Sequence, residues 1–129
     1  MEEQLITFKT SAIAKVKGFH EETQAMTVGE NYPIVNDPKY ETPYDWNSLA
    51  GYSLPTQSLL QKWLRERHNI HINLKAFKFS KGNTFVYEVN CLNVDYHISS
   101  MEFTTYEKAL EQALIDGLGV ITNYDKIWD

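Results

Sequence analysis

The groups in this chain that could carry acid–base, nucleophilic or metal chemistry are four histidines, one cysteine and seventeen carboxylates. Their spacing argues against each use. His68 and His71, with Glu66 nearby, suggest a metal pair, but the helix that would align them is expected to stop at Asn69. Zinc sites on a helix present His at i and i+4, backed by a further ligand. His68 therefore reads as a helix-terminal residue favoured by the helix dipole, and His71 as a solvated strand residue. Cys91 and His97 would make a nucleophile and base only if they met. The alternation of their strands puts them on opposite faces, so Cys91 reads as a buried core thiol. His20, beside Glu21 and Glu22, reads as a loop residue. The carboxylates form no calcium loop, and Glu66, Glu107 and Glu111 fall on polar helix faces. Six scattered glycines make no phosphate loop or nucleophile elbow. The expectation is a non-enzymatic chain with no catalytic residue, metal or cofactor.

Composition sets the frame for such a protein. At 129 residues, 43% hydrophobic and 22% charged, the chain matches one globular domain, 1–129, with a core that requires no disulfide or metal. The start, Met1 to Lys17, carries Glu2 and Glu3 in place of a basic region followed by an apolar run, unlike a secretory signal. The longest apolar-plus-glycine run, Gly117 to Ile121, falls far below the ~20 residues of a membrane span. A single cysteine fits a reducing compartment, so the expected location is the cytoplasm, with no membrane partner. Residues 1–54 hold four lysines against eight acidic residues, whereas 55–122 hold seven of each sign. That balance disfavours a phosphate-tracking surface and makes nucleic acid an unlikely partner.

The elements that must position these residues follow from capping and period. Thr7 caps a helix over 8–17, with Phe8, Ala12, Ile13 and Val16 at helical spacing and Gly18 as its stop. Residues 25–28 read as a short strand. All four prolines lie within 33–55, with Tyr32 just before that stretch and Tyr40, Tyr44, Trp46 and Tyr52 inside it. Aromatics at that density mark a packed loop, not a disordered linker. Pro55 opens a second helix over 55–68 with an apolar stripe of Leu59, Leu60, Trp63 and Leu64, and Asn69 takes the left-handed stop.

From Ile70 the period becomes two. Ile72, Leu74 and Ala76 alternate with polar residues, then Phe85, Tyr87, Val89 and Cys91, then Tyr96 and Ile98. A turn centred on Lys81-Gly82 predicts Ile72 opposite Cys91, Leu74 opposite Val89 and Ala76 opposite Tyr87. A turn at Asn93-Val94 predicts Val89 opposite Ile98 and Cys91 opposite Tyr96. Thr104 and Glu107 have capping-box spacing before a helix over 105–122. The fold class is α+β: helix, long aromatic loop, helix, three antiparallel strands, helix, with helices packed on one face. Residues 1–54 hold the first helix and loop, and 55–122 the core.

The runs Pro55-Thr56-Gln57-Ser58-Leu59-Leu60-Gln61-Lys62-Trp63-Leu64-Arg65-Glu66, His68-Asn69-Ile70-His71-Ile72 and Thr105-Tyr106-Glu107-Lys108-Ala109-Leu110 resemble small hypothetical proteins of phages, prophages and gut Bacteroidetes genomes. The likeness covers mainly residues 53–122, with a weaker segment around Ala14 to Phe19. It implies a mobile-element origin and no particular activity. The order helix, three strands, helix is also that of a double-stranded RNA-binding domain, which places a lysine cluster at the start of its last helix. Here that position reads Thr104-Thr105-Tyr106-Glu107-Lys108.

A second apolar set, Phe77, Phe79, Val86 and Leu92, falls on the sheet face away from the core. Apolar surface of this kind marks either a second core, covered by residues 29–54 or the first helix, or a binding patch. With Tyr40, Tyr44 and Trp46 of the aromatic loop, it is the candidate interaction surface for a protein partner or a homodimer. The alternative, a nucleic-acid module, would use Lys62, Arg65, Arg67, Lys75, Lys78 and Lys81 on phosphates.

Overall fold

Thr7 is extended, and its hydroxyl accepts the Thr10 N–H at 3.3 Å, so the chain turns into helix α1, Phe8–Val16. The computed structural model describes residues 4–36, 42–79, 82–93 and 96–121, with backbone alone at Phe79 and Tyr96. These form two compact units, Met1–Ser58 and Leu59–Asp129.

In the first unit, α1 ends as its sequence predicts: Lys17 donates to the Ile13 carbonyl and Gly18 takes φ +91°. Its buried face differs from the apolar stripe. Thr10, Ser11 and Ala14 are buried, whereas Val16 is 68% exposed. Small polar residues are tolerated inside because they find partners; the Ser11 hydroxyl donates to the Ser53 carbonyl at 2.8 Å. Strand β1, Met26–Thr27, lies within the predicted 25–28 and pairs antiparallel with β2, Tyr52–Ser53. Met26 also exchanges both backbone hydrogen bonds with Val35, at 2.9 and 2.8 Å.

The described part of the aromatic segment is packed only in part: Tyr32, Ile34, Tyr44 and Leu49 are exposed, whereas Trp46 and Tyr52 are half-buried. Asn47, in a single 3₁₀ turn at Trp46–Ser48, is buried. Its amide donates to the Phe19 carbonyl at 2.9 Å and accepts the Ser53 N–H at 2.9 Å. Lys15 donates to the carbonyls of Leu49 at 3.2 Å and Gly51 at 2.7 Å, and sits 4.5 Å from the Tyr52 ring centre. One asparagine and one lysine thus close a loop that has little regular structure of its own. The second helix, α2, begins at Gln57 and not at Pro55, because residues 55–57 are drawn into pairing with the start of the chain. Ile6 donates to the Pro55 carbonyl at 3.1 Å and Gln57 to Gln4 at 2.8 Å.

In the second unit α2, Gln57–His68, ends at Asn69 with φ 55°, the predicted left-handed stop. Strands β3, Ile70–Phe79, β4, Gly82–Cys91, and β5, Tyr96–Ser99, form an antiparallel sheet in the order β3-β4-β5. The β4–β5 register is the predicted one, with Val89 opposite Ile98 and Cys91 opposite Tyr96. The β3–β4 register is two residues away from expectation: Ile70, Ile72 and Leu74 face Cys91, Val89 and Tyr87. Gly82, expected in the turn, instead opens β4 at φ +126° and pairs with Phe79. Side chains alternate with period two, so a shift of two leaves every residue on its predicted face.

Helix α3 spans Tyr106–Val120. Its cap is Thr105, not Thr104; the Thr105 hydroxyl accepts the Lys108 N–H at 3.1 Å, so Glu107 sits one position too early to close a capping box. Ala109, Leu110, Ala113, Leu114, Gly117 and Leu118 are buried against the sheet face that carries Ile70, Ile72, Tyr87, Val89 and Cys91. At Gly117 a Cβ would lie 3.1 Å from Leu64 Cδ1, 3.5 Å from Ile70 Cγ2 and 3.7 Å from Ile72 Cδ1. That contact brings α2, α3 and β3 together, with both helices on one face.

Two stability outcomes follow. Asn47→Ala leaves the Phe19 carbonyl and Ser53 N–H without their partner and is expected to cost about 1–3 kcal/mol in urea unfolding. Gly117→Ala gains helix propensity but crowds Leu64. It is expected to be more favourable in a Leu64→Ala background than in the natural chain by about 1 kcal/mol, measured as a double-mutant cycle.

Candidate interaction surface

With α2 and α3 on one face of the sheet, the strand positions between the core residues form the other. The pairing arranges them in rows. His71, Asn90 and His97 lie side by side across the three strands, followed by Asn73, Glu88 and Ser99, then Lys75 with Val86, Phe77 with Thr84, and Phe79 with Gly82. The first two rows are polar and internally bonded. His97 Nδ1 is 2.6 Å from Asn90 Oδ1 and its Nε2 is 2.9 Å from Ser99 Oγ. His71 Nε2 is 2.7 Å from Asn69 Oδ1, and Lys75 pairs with Glu88 at 3.3 Å.

Each of the last three rows carries one apolar residue, Val86, Phe77 or Phe79. Phe77 is 46% exposed and Val86, half-buried, is its diagonal neighbour on the same face. Opposite Val86 the β5 chain bulges. Ser100 bonds Tyr87 and Phe103 bonds Phe85, so three residues, Ser100 to Glu102, face Val86 and Tyr87. Met101 in that bulge is 84% exposed. It was not among the residues the alternation singles out, because the pattern breaks at the extra residue; the Ser99-Ser100 pair just before it is the one local signal.

The predicted apolar set is therefore split. Leu92, 62% exposed, hydrogen-bonds Asn69 at the far end of the sheet, roughly 25 Å from Phe77 at ~3.3 Å per residue. Phe77 and Val86 come together, and Phe79 follows them in the strand with its side chain outside the described atoms. Of the aromatic loop residues, Tyr40 lies outside the described residues. Trp46 is partly buried and tied down, its indole donating to the Thr23 carbonyl at 2.8 Å. The Tyr44 ring lies 5.3 Å from that of Trp46, tilted by 56°, and is 45% exposed.

The groups considered for chemistry are kept apart. Cys91 is buried on the core face and His97 is exposed on the other. His68 is buried edge-on to Trp63, with ring centres 4.7 Å apart, a closer environment than a helix-terminal position alone predicts. Among the described residues no group of three metal-ligating side chains is found. In the first unit His20, Asp45 and Ser48 do meet, a cluster hidden by 25 and 28 residues of separation. It lacks the relay of a nucleophilic triad. Asp45 and Ser48 both approach the same nitrogen, His20 Nδ1, at 3.0 and 3.4 Å, while the Ser48 hydroxyl donates directly to Asp45.

One titratable group is clearly perturbed. Tyr87 is buried, and burial, then its hydrogen bond to Asp116, then the carboxylate charge raise its phenol well above the ordinary tyrosine value. Gln112 holds the other Asp116 oxygen at 3.1 Å. The pair ties β4 to α3 with a neutral donor.

No family model, curated protein or solved structure matches this chain. Among the described residues, no helix is long and apolar enough to cross a membrane.

The Tyr87 shift carries a stability prediction. A folded-state value raised above the unfolded one stabilises fully below about pH 10 and loses that contribution as pH rises beyond it. Urea midpoints measured from pH 8 upward are expected to fall more steeply above about pH 10 in the natural protein than in Tyr87→Phe. Parallel curves would remove the phenol from the account.

Proposed function

We propose that this chain is a non-enzymatic protein-interaction module of the cytoplasm, an accessory protein of the mobile-element kind its sequence resembles. It binds a partner protein through the end of the sheet bearing Phe77, Val86 and Met101. The observation that supports this reading is local: exposed Phe77 and half-buried Val86 are diagonal neighbours at one end of a face whose first two rows are polar and hydrogen-bonded, and exposed Met101 lies in the bulge opposite Val86. Apolar surface next to a polar rim is the arrangement of a protein contact, with the apolar part supplying affinity and the rim supplying register.

The distribution of positive charge favours protein over nucleic acid. Lys62, Arg65 and Arg67 project from α2, which packs on the core face, whereas Lys75 stands on the outer face and is already paired with Glu88. A phosphate-tracking surface needs such residues on one side.

The test is capture of the partner by tagged protein from host lysate, with and without nuclease. A stoichiometric protein that survives nuclease is expected, and Val86→Asp is expected to reduce its recovery at least tenfold while circular dichroism stays unchanged. Met101→Asp, at a site almost fully in water, gives the same readout if the valine variant does not fold. Recovery of nucleic acid with only nuclease-sensitive proteins, or capture indifferent to both substitutions, would overturn the reading.

A further inference from the structure

Among the described residues Met101 is the large apolar side chain most open to water, at 84% exposed. Its backbone, by contrast, is firmly held. Ser100 donates its N–H to the Tyr87 carbonyl at 3.0 Å, and its hydroxyl accepts the Tyr87 N–H at 2.8 Å. The same hydroxyl donates to the Met101 carbonyl at 2.8 Å. Two residues on, Phe103 exchanges both backbone hydrogen bonds with Phe85, at 2.8 and 2.9 Å. The bulge therefore carries the thioether at a fixed place by bonds that use none of its side-chain atoms. The other described sulfur groups are shielded. Cys91 is buried. Met26 is half-buried, with its Cε 2.8 Å from where a Cβ on Gly51 would stand. Oxidation of sulfur follows access, so placement alone sets Met101 apart.

We infer that Met101 is a site of reversible oxidation by peroxide, and that its sulfoxide weakens partner binding at this end of the sheet. The second half rests on the interaction surface proposed above. In the step, a sulfur lone pair attacks one peroxide oxygen and the O–O bond breaks. The departing oxygen takes the proton of the transferred one and leaves as water, so sulfur loses two electrons and peroxide gains them. A flexible apolar thioether, suited to fitting a partner's surface, becomes a strong hydrogen-bond acceptor. Inside a contact that oxygen must find a donor or be buried without one, and the latter costs roughly tenfold in affinity. The change is local. The bonds of Ser100 and Phe103 involve no side-chain atom of Met101, so the bulge and the sheet survive it. Enzymatic reduction of the sulfoxide restores the thioether, which makes the step a switch.

The experiment treats the folded chain with graded hydrogen peroxide and locates the added oxygen by peptide mass spectrometry. Met101 is expected to be oxidised at least roughly tenfold faster than Met26, with Cys91 unchanged and circular dichroism unaltered. Capture from host lysate is then compared before and after peroxide, chain by chain. The natural chain is expected to lose roughly tenfold in recovered partner and to regain it after methionine sulfoxide reductase. Met26→Leu is expected to keep that loss, whereas in Met101→Leu the ratio before and after peroxide stays at one whatever its starting value. Oxidation of Met26 as fast as Met101, or a Met101→Leu chain that still responds to peroxide, overturns the inference. The two readings fail differently. Capture that depends on Val86 but not on the oxidation of Met101 overturns this inference alone, whereas capture indifferent to Val86→Asp and Met101→Asp removes the interaction surface and the switch with it.

Discussion

The second unit depends on the approach of α3 to β3 and α2 at Gly117. With a hydrogen in place of a side chain, the helix backbone comes within van der Waals reach of Leu64, Ile70 and Ile72 at once. Leu64, Ile70, Leu114, Leu118 and Val89 are fully buried as a result. Two helices cover one face of a three-stranded sheet, and this core uses both on the same face. The other face has to meet water or something else, which is why His71, Asn73, Glu88, Asn90, His97 and Ser99 fill most of its rows. Apolar side chains interrupt that face at its two ends, Phe77 and Val86 at one and Leu92 at the other.

The first unit is organised differently. With one nine-residue helix and two-residue strands, its regular elements alone bury little, and side chains that bond distant backbone groups hold it together. Asn47 links residues on either side of the aromatic loop, Ser11 reaches β2, Trp46 reaches Thr23, and Lys15 gathers two carbonyls and a ring. The described aromatic residues divide accordingly: Trp46 and Tyr52 are engaged, while Tyr32 and Tyr44 are exposed.

Separation of the titratable groups is a consequence of the same geometry. Alternation puts Cys91 inside and His97 outside, and the end of α2 at Asn69 breaks any common face for His68 and His71. Where a serine, a histidine and an aspartate do meet, in the first unit, they crowd one ring nitrogen.

Local rules carried much of this fold. The Thr7 cap, the left-handed stops at Gly18 and Asn69, the change of period at Ile70 and the sidedness of all three strands depend only on neighbours a few residues away, so they were legible in the sequence. The α+β class and the β4–β5 register followed from them. The two-residue offset of β3 against β4 was not legible, because a hydrophobic pattern of period two cannot distinguish registers two residues apart. Nor were the Asn47 bridges, the Met101 bulge, or the burial of Thr10 and Ser11. Each is set by hydrogen-bond geometry between groups that only the folded chain brings within reach, and that geometry also divided one predicted apolar set into two distant ends of the sheet.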